Sequence, residues 1–332
     1  MAKRFKLTNR GKARKGIDKS KLYKKWADGV NLDSLMIAKS QSEDQIDTFS
    51  EFEEELAAFL GGVFLASTES EVDLLVSKIE AEEFDFIGFS NTVNSLDNKR
   101  VVSPDDRAAL QEFFGEVLDT GVVESDELIQ RMDLAVEEQS FDNQSVSNFS
   151  GSMTSFTEYY ANNYPGRVLG PSLLAAAAKF ESGQLAKDEF SEFVRNKFTE
   201  NPYWQTVSNT GTVKAYHYGY LKNMEASGIE EYTYKAILDS KTTPICRHLN
   251  GKVFNVRRGL ELLENFSGST ASNAPSELPW LSKEEQEDIV TRNLTKEELQ
   301  AQGVILPGSL HANCRSTLVS TQGRVINARS VV

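Results

Sequence analysis

The stretch DSKTTPICRHLNGKVF, Asp239–Phe254, contains Cys246 and His248 in a chain that has only two cysteines and three histidines. The other cysteine, Cys314, follows His311 by three residues in SLHANCRSTLVS, Ser309–Ser320. Asp239–Pro244 is turn chemistry: Asp, Ser and Thr side chains bond backbone amides two or three residues on, and Pro244 fixes its own φ. Asn250–Gly251 is a strong hairpin signal, because both residues accept positive φ. It predicts a short strand over Ile245–Leu249 turning into a second over Lys252–Phe254, with Cys246 and His248 on one side of the first. One tight turn brings His311 and Cys314 to one point. Cys246, His248, His311 and Cys314 together then have the ligand types of a tetrahedral structural zinc site, which would clip two distant segments into one small module. Two other readings fit the same residues. Cys246 can pack as a buried thiol, with His311 bonded to a backbone carbonyl or to Asp239. A Cys246–Cys314 disulfide is the third, and would matter only outside the cell. His217, in AYHYGY, reads as structural.

Outward from this stretch the chain is mostly helical. Ile46, Phe49, Phe52, Leu56, Phe59 and Leu60 recur at helical steps with acids between them, and Val72, Leu75, Val76, Ile79 and Phe86 repeat the theme. Ser103–Pro104–Asp105–Asp106 starts a helix with a cap, a first-turn proline and acids near the positive end of the dipole. Gly121 reads as its stop, and Ser125 as the cap of a next helix running to about Gln139. Ser140–Gly166 turns to Ser, Asn, Gly and aromatics, a linker or irregular arm. Helices resume at about Ser172, at Lys187–Phe198, and from Pro202, after Asn201 as cap, to about Met224, with Gly228 ending that region. Glu230–Leu238, Lys252–Val256 and Ser316–Ser320 favour strands. Ser282–Arg292 and Thr295–Gln302 are capped helix patterns. The expected fold class is mainly α with a small α+β C-terminal module. The expected organisation is a basic arm (1–25), an acidic helical domain (26–139), a linker (140–170) and a module (171–332) with an insertion at about 255–306.

The length of 332 residues, 39% of them hydrophobic, suffices for a sizeable core. The longest apolar run, Leu56–Ala66, is too short to cross a bilayer, and no signal peptide is visible, so the chain reads as soluble and cytoplasmic. The formal charge of −13 is unevenly spread. Residues 1–25 hold eleven Lys or Arg and one acid, so the remaining 25 basic and 48 acidic residues give the body −23. Lys3, Arg4, Lys6, Arg10, Lys12, Arg14 and Lys15 are the candidate contacts of the arm with nucleic acid or an acidic partner; a mobile solubilising tail is the bland alternative. The acidic body is no nucleic-acid platform, so a dedicated DNA-binding protein is not expected.

The paired motifs carry a resemblance. Asp239, Thr242, Cys246, Gly251, Lys252 and Phe254, followed by Pro307, Leu310, His311, Asn313, Cys314, Arg315, Thr317 and Leu318, are similar to the C-terminal module of phage minor head proteins of the Mu F type. Asn209, Thr210, Ala215 and Gly219 upstream fit the same family, and the likeness spans about 200–320. Many members carry further cysteines where this chain has Thr243 and Ser316. Of the zinc ligands, Cys246, His311 and Cys314 match, and His248 would serve as the fourth. Asp239, Thr242, Asn250, Gly251 and Arg315 are motif residues with structural roles.

The resemblance implies a minor capsid protein in the virion of a tailed bacteriophage, at the portal vertex, assembled in the host cytoplasm. Its implied partners are the portal protein, the major capsid protein and packaged double-stranded DNA through the basic arm; no membrane is implied. No catalytic residue is expected, since Walker-type, Gly-x-Ser-x-Gly and His-Glu-x-x-His patterns are missing. The alternatives are a zinc-dependent hydrolase using Cys246, His311 and Cys314 with Asp239 or Glu231 as base, and a phage-borne effector.

Overall fold

A computed structural model of the chain describes residues 34–131, 143–199, 202–268, 270, 273, 280–307, 310, 311 and 313–320. The candidate arm residues Lys3, Arg4, Lys6, Arg10, Lys12, Arg14 and Lys15 lie outside the described residues, as do Asn201 and the helix end expected near Gln139.

The chain is mainly α, with one small antiparallel sheet near the C-terminus. Helix α1 (Ser34–Glu80) buries Phe52, Leu56, Phe59, Leu60 and Phe64, then Leu75, Val76 and Ile79, the stripe its periodicity predicts. Asp85 caps α2 (Phe86–Ser95), its carboxylate accepting from Gly88 N at 2.9 Å. Helix α3 (Pro104–Arg131) starts as expected: Ser103 N donates to Asp106 Oδ2 (3.0 Å), and Asp106 N donates to Ser103 Oγ (3.2 Å).

Gly121 does not stop α3, and Ser125 does not cap a new helix; both lie inside one continuous helix. The glycine serves a crossing instead. Helix α7 (Pro202–Ala226) runs against α3, and a Cβ on Gly121 would collide with the Tyr216 carbonyl oxygen. A Cβ on Gly219 would collide with the Leu118 carbonyl in return. Two glycines thus let two backbones meet closely, and close contact gains dispersion over the whole crossing.

Where a linker is expected at 140–170, the described residues are helical: Asn143–Tyr164 form helix α4. Its small polar residues turn their hydroxyls back onto the helix, Ser152 to Asn148 O (3.1 Å), Thr154 to Ser150 O (2.8 Å) and Ser155 to Gly151 O (3.0 Å). That satisfies them without water, so they can be buried between Phe149, Met153 and Phe156. Phe149 stacks on Tyr218 of α7 at 4.0 Å between ring centroids. A π-helical turn (Pro165–Leu169) leads into α5 (Gly170–Glu181), and α6 (Lys187–Thr199) follows.

Helix α7 is the axis of the molecule. It is buried nearly all round, from Trp204 to Met224, and packs against α1, α3 and α4. The helices before and after residue 140 therefore share one hydrophobic core. Gly228, at φ 68°, ends this region. Strand β1 (Glu231–Lys235) then forms the middle of the sheet, between β2 (Val253–Asn255) and β3 (Thr317–Ser320), with Tyr232 opposite Phe254 and Tyr234 opposite Leu318.

The strand expected at Ile245–Leu249 is a helix, α8 (Pro244–Leu249). Thr243 caps it and Pro244 takes its first position, so the local chemistry is that of a helix start. Asn250 (φ −56°, ψ 123°) and Gly251 (φ 82°) then make a type II turn closed by Lys252 N to Leu249 O at 2.9 Å. The Asn-Gly pair joins a helix to a strand, not two strands, and only the glycine takes positive φ. Helix α9 (Val256–Phe266), which the sequence reading did not mark, buries Leu260, Leu263 and Phe266 and packs on α7. The two helices expected after it are present as α10 (Lys283–Arg292) and α11 (Lys296–Ala301), each with a full capping box.

Candidate metal centre

Three features converge below β1. Helix α8 presents Cys246 from its first turn. The chain before β3 turns through Asn313 at φ 56°, a left-handed position asparagine tolerates, which brings His311 and Cys314 to one point. The β1 alternation aims Tyr234 at them from the sheet.

The three ligand atoms lie within 4.8 Å of one another. Cys246 Sγ is 3.9 Å from Cys314 Sγ and 3.0 Å from His311 Nε2. A tetrahedral zinc with Zn–S bonds of about 2.3 Å and Zn–N of about 2.0 Å sets its sulfurs about 3.8 Å apart and sulfur and nitrogen about 3.5 Å apart. The sulfur pair fits that ion, while the 3.0 Å between Cys246 Sγ and His311 Nε2 is a hydrogen-bond distance. The cysteines are unbridged and buried. The Tyr234 hydroxyl stands 3.3 Å from Cys246 Sγ and 3.6 Å from Cys314 Sγ, within hydrogen-bond reach of both; were the sulfurs metal-bound thiolates it would donate to them, as an outer partner of a metal site does. Hydrogen bonding with Cys314, then burial, push the Cys246 thiol up to about 12. Burial, then the two sulfurs, hold Tyr234 well above the usual phenol range. The chemistry of the set is that of a soft divalent cation: Cys246, His311 and Cys314 would hold it.

His248 is not brought into this cluster. It lies on a helix, not a strand, and two residues along a helix is about 200° around it, so it cannot face the point that Cys246 faces. The motif residues tie the segments together. Asp239 Oδ1 accepts from Lys241 N (2.8 Å) and from Arg315 Nη2 (2.8 Å), which clamps the 239–244 turn to the 311–315 loop. The Arg315 guanidinium holds the Asp239 carboxyl down at about 2. Thr242 Oγ1 accepts from Asp239 N (2.8 Å), and Asn250 Oδ1 accepts from Ala236 N (3.0 Å). His217 is buried in α7 and kept neutral by that burial, in keeping with a structural role.

The cluster borders a cleft of about 470 Å³ whose walls include Thr243 and His311 on one side and Glu53 and Asn209 on the other. Thr243 Oγ1 lies 3.0 Å from His311 Nε2. Asn209 Nδ2 donates to Glu53 Oε1 at 2.5 Å, linking α7 to α1. Burial raises the Glu53 carboxyl to about 7 against the 4.5 of a free side chain. Sequence reasoning named neither Tyr234 nor Glu53. The period-two pattern of EYTYK was a signal for Tyr234; a single acid on an acidic helix gives none for Glu53.

A pH test follows. From about pH 4.5 to 7 the unfolded chain ionises Glu53 while the folded chain keeps its proton, so stability falls as pH rises through this window. Glu53→Gln is expected to be about 2 kcal/mol more stable than the parent at pH 8, discounted from about 3 for partial solvent access, and nearly equal to it at pH 4. Urea unfolding at both pH values checks this, and equal stability at pH 8 would refute the buried carboxyl.

Residues 181–319 match the family model for Phage Mu protein F like protein, so this C-terminal part of the chain is similar to that family. The match covers α6, α7, the sheet and the Cys–His cluster. No curated protein and no solved structure matched the chain in the comparisons. No helix among the described residues is long and apolar enough to cross a membrane.

Proposed function

We propose that the protein is a minor capsid protein of a tailed bacteriophage, residing in the virion and docking at the portal vertex during head assembly. The observation that carries this reading is the family match over 181–319, which includes both halves of the Cys–His cluster. The composition agrees with a protein that works by contact: the body after residue 25 has a formal charge of −23, a surface suited to basic partner patches. The portal protein is the first partner, and the major capsid protein the second. The basic arm at 1–25 is the segment proposed to touch packaged double-stranded DNA, helping packaging or ejection. A zinc ion at Cys246, His311 and Cys314 would supply cross-linking, pinning two segments about sixty-five residues apart.

Quantitative mass spectrometry of purified particles tests this. A few to a dozen copies per particle, scored against portal and major shell proteins, is the expected result. Absence from particles overturns the reading. A second reading, a metal-dependent hydrolase, draws on the cleft beside the three ligand side chains. Normal copy number in particles, with full infectivity after Glu231→Gln and Asp239→Asn, counts against it.

A further inference from the structure

Zinc centres that serve only as cross-links are closed by four protein ligands, and those with three keep one position for an outside molecule. Here Cys246, His311 and Cys314 supply three, and no fourth Cys, His, Asp or Glu among the described residues joins the group. Three hydroxyls come near, and one of them, the buried Ser316, hydrogen-bonds to Cys246 and Tyr234. Tyr234 approaches the sulfurs from the fully buried side, where its hydroxyl is placed to donate to them. Thr243 approaches His311 Nε2 at 3.0 Å from the cleft side, and a neutral alcohol is not among the side chains that zinc takes as ligands. Thr243 therefore marks a direction in which the protein offers no ligand and the cleft offers access.

We infer that the metal centre keeps its fourth coordination position open toward the cleft beside Thr243 and takes a neutral nitrogen or oxygen donor from outside, water or an imidazole. This rests on the metal reading of the three side chains. Neutrality follows from charge. Two thiolates balance a divalent ion, so the centre exerts no net pull on an anion. The cleft walls include Glu54 and Lys241, of opposite sign, with Arg315 paired to Asp239, and favour neither. A volume of about 470 Å³ admits a side chain or a small molecule. Such a position would let a histidine of a docking partner complete the coordination shell, making assembly dependent on metal.

Cobalt(II) substituted into the full chain reads the coordination shell through its visible absorption. Titration with imidazole is expected to shift the cobalt bands of the parent saturably. Thr243→Cys is expected to close the shell: it should bind cobalt at least tenfold more tightly, show stronger thiolate-to-cobalt absorption and ignore imidazole. Cobalt bands in the parent that imidazole does not move overturn the inference. A silent parent with a responsive Tyr234→Phe would assign the fourth position to the tyrosine and overturn it too. Failure of the parent to bind cobalt or zinc at all removes the metal reading and the inference together, and the metal content tells that case from the others.

Discussion

Replacing Gly219 with valine is expected to destabilise the whole chain, by about 3 kcal/mol or more, and not one half of it. Overpacking ordinarily costs about 1–3 kcal/mol, because nearby side chains can shift. At Gly219 the obstacle is the Leu118 carbonyl, a backbone atom in the middle of α3, and it cannot rotate away. The helices must separate instead. Leu118, Phe114, Tyr216 and Tyr220 are all buried near this crossing and lose contact together. Gly115→Ala in the same α3 is the control: its Cβ meets nothing within 4 Å, and it should stabilise the helix by up to about 1 kcal/mol. Urea unfolding followed by far-ultraviolet circular dichroism and by tryptophan fluorescence reads both halves at once. Coincident transitions, lowered for Gly219→Val and unchanged or raised for Gly115→Ala, are expected. A valine variant as stable as the parent, or one that loses only the C-terminal part, would contradict the shared core.

That crossing shows why some of the fold was legible and some was not. Apolar spacing along α1 and caps at Ser103, Ser282 and Thr295 act within one or two helical turns, so sequence reveals them. Gly121 read as a stop because a lone helix gains nothing from glycine; its value lies in a neighbour about a hundred residues away. The serines of α4 read as a linker for a similar reason, since their back-bonded hydroxyls satisfy them only once the helix exists. The α8 error was of another kind. Thr243–Pro244 carries the same cap-and-proline signal as Ser103–Pro104, but the Asn-Gly pair outweighed it, and a turn that can join two strands can also join a helix to a strand. At the site, ligand identity was legible from rarity: two cysteines and three histidines leave few choices. His248 was misplaced with the helix that carries it, and Tyr234 and Thr243 entered the cluster only through tertiary contact.

Stripping metal from the zinc-loaded chain, or replacing Cys314 with serine, is expected to loosen 239–250 and 310–316 while the helices of 50–131 keep their protection. Apart from the core burial of Ile245, Leu249 and Leu310, polar contacts are what join the two segments to each other. The Asp239–Arg315 pair is open to solvent, and exposed ion pairs of this kind hold weakly. Each neutral hydrogen bond at the cluster adds about 1 kcal/mol net. A ligand present at a hundred times its Kd adds about 2.7 kcal/mol, more than either, and it acts on the joint between the two segments. Hydrogen exchange with and without chelator should therefore show about a hundredfold faster exchange confined to the amides of α8 and of the loop before β3. The buried crossing of α3 and α7 lies outside this joint and is not expected to respond. Metal analysis on the same sample separates the two chemistries that suit a pair of sulfurs 3.9 Å apart. One zinc per chain with chelator-sensitive loops identifies a metal cross-link. No zinc, with Cys314→Ser lowering stability by only about 1 kcal/mol, identifies two packed thiols hydrogen-bonded to Tyr234 and His311.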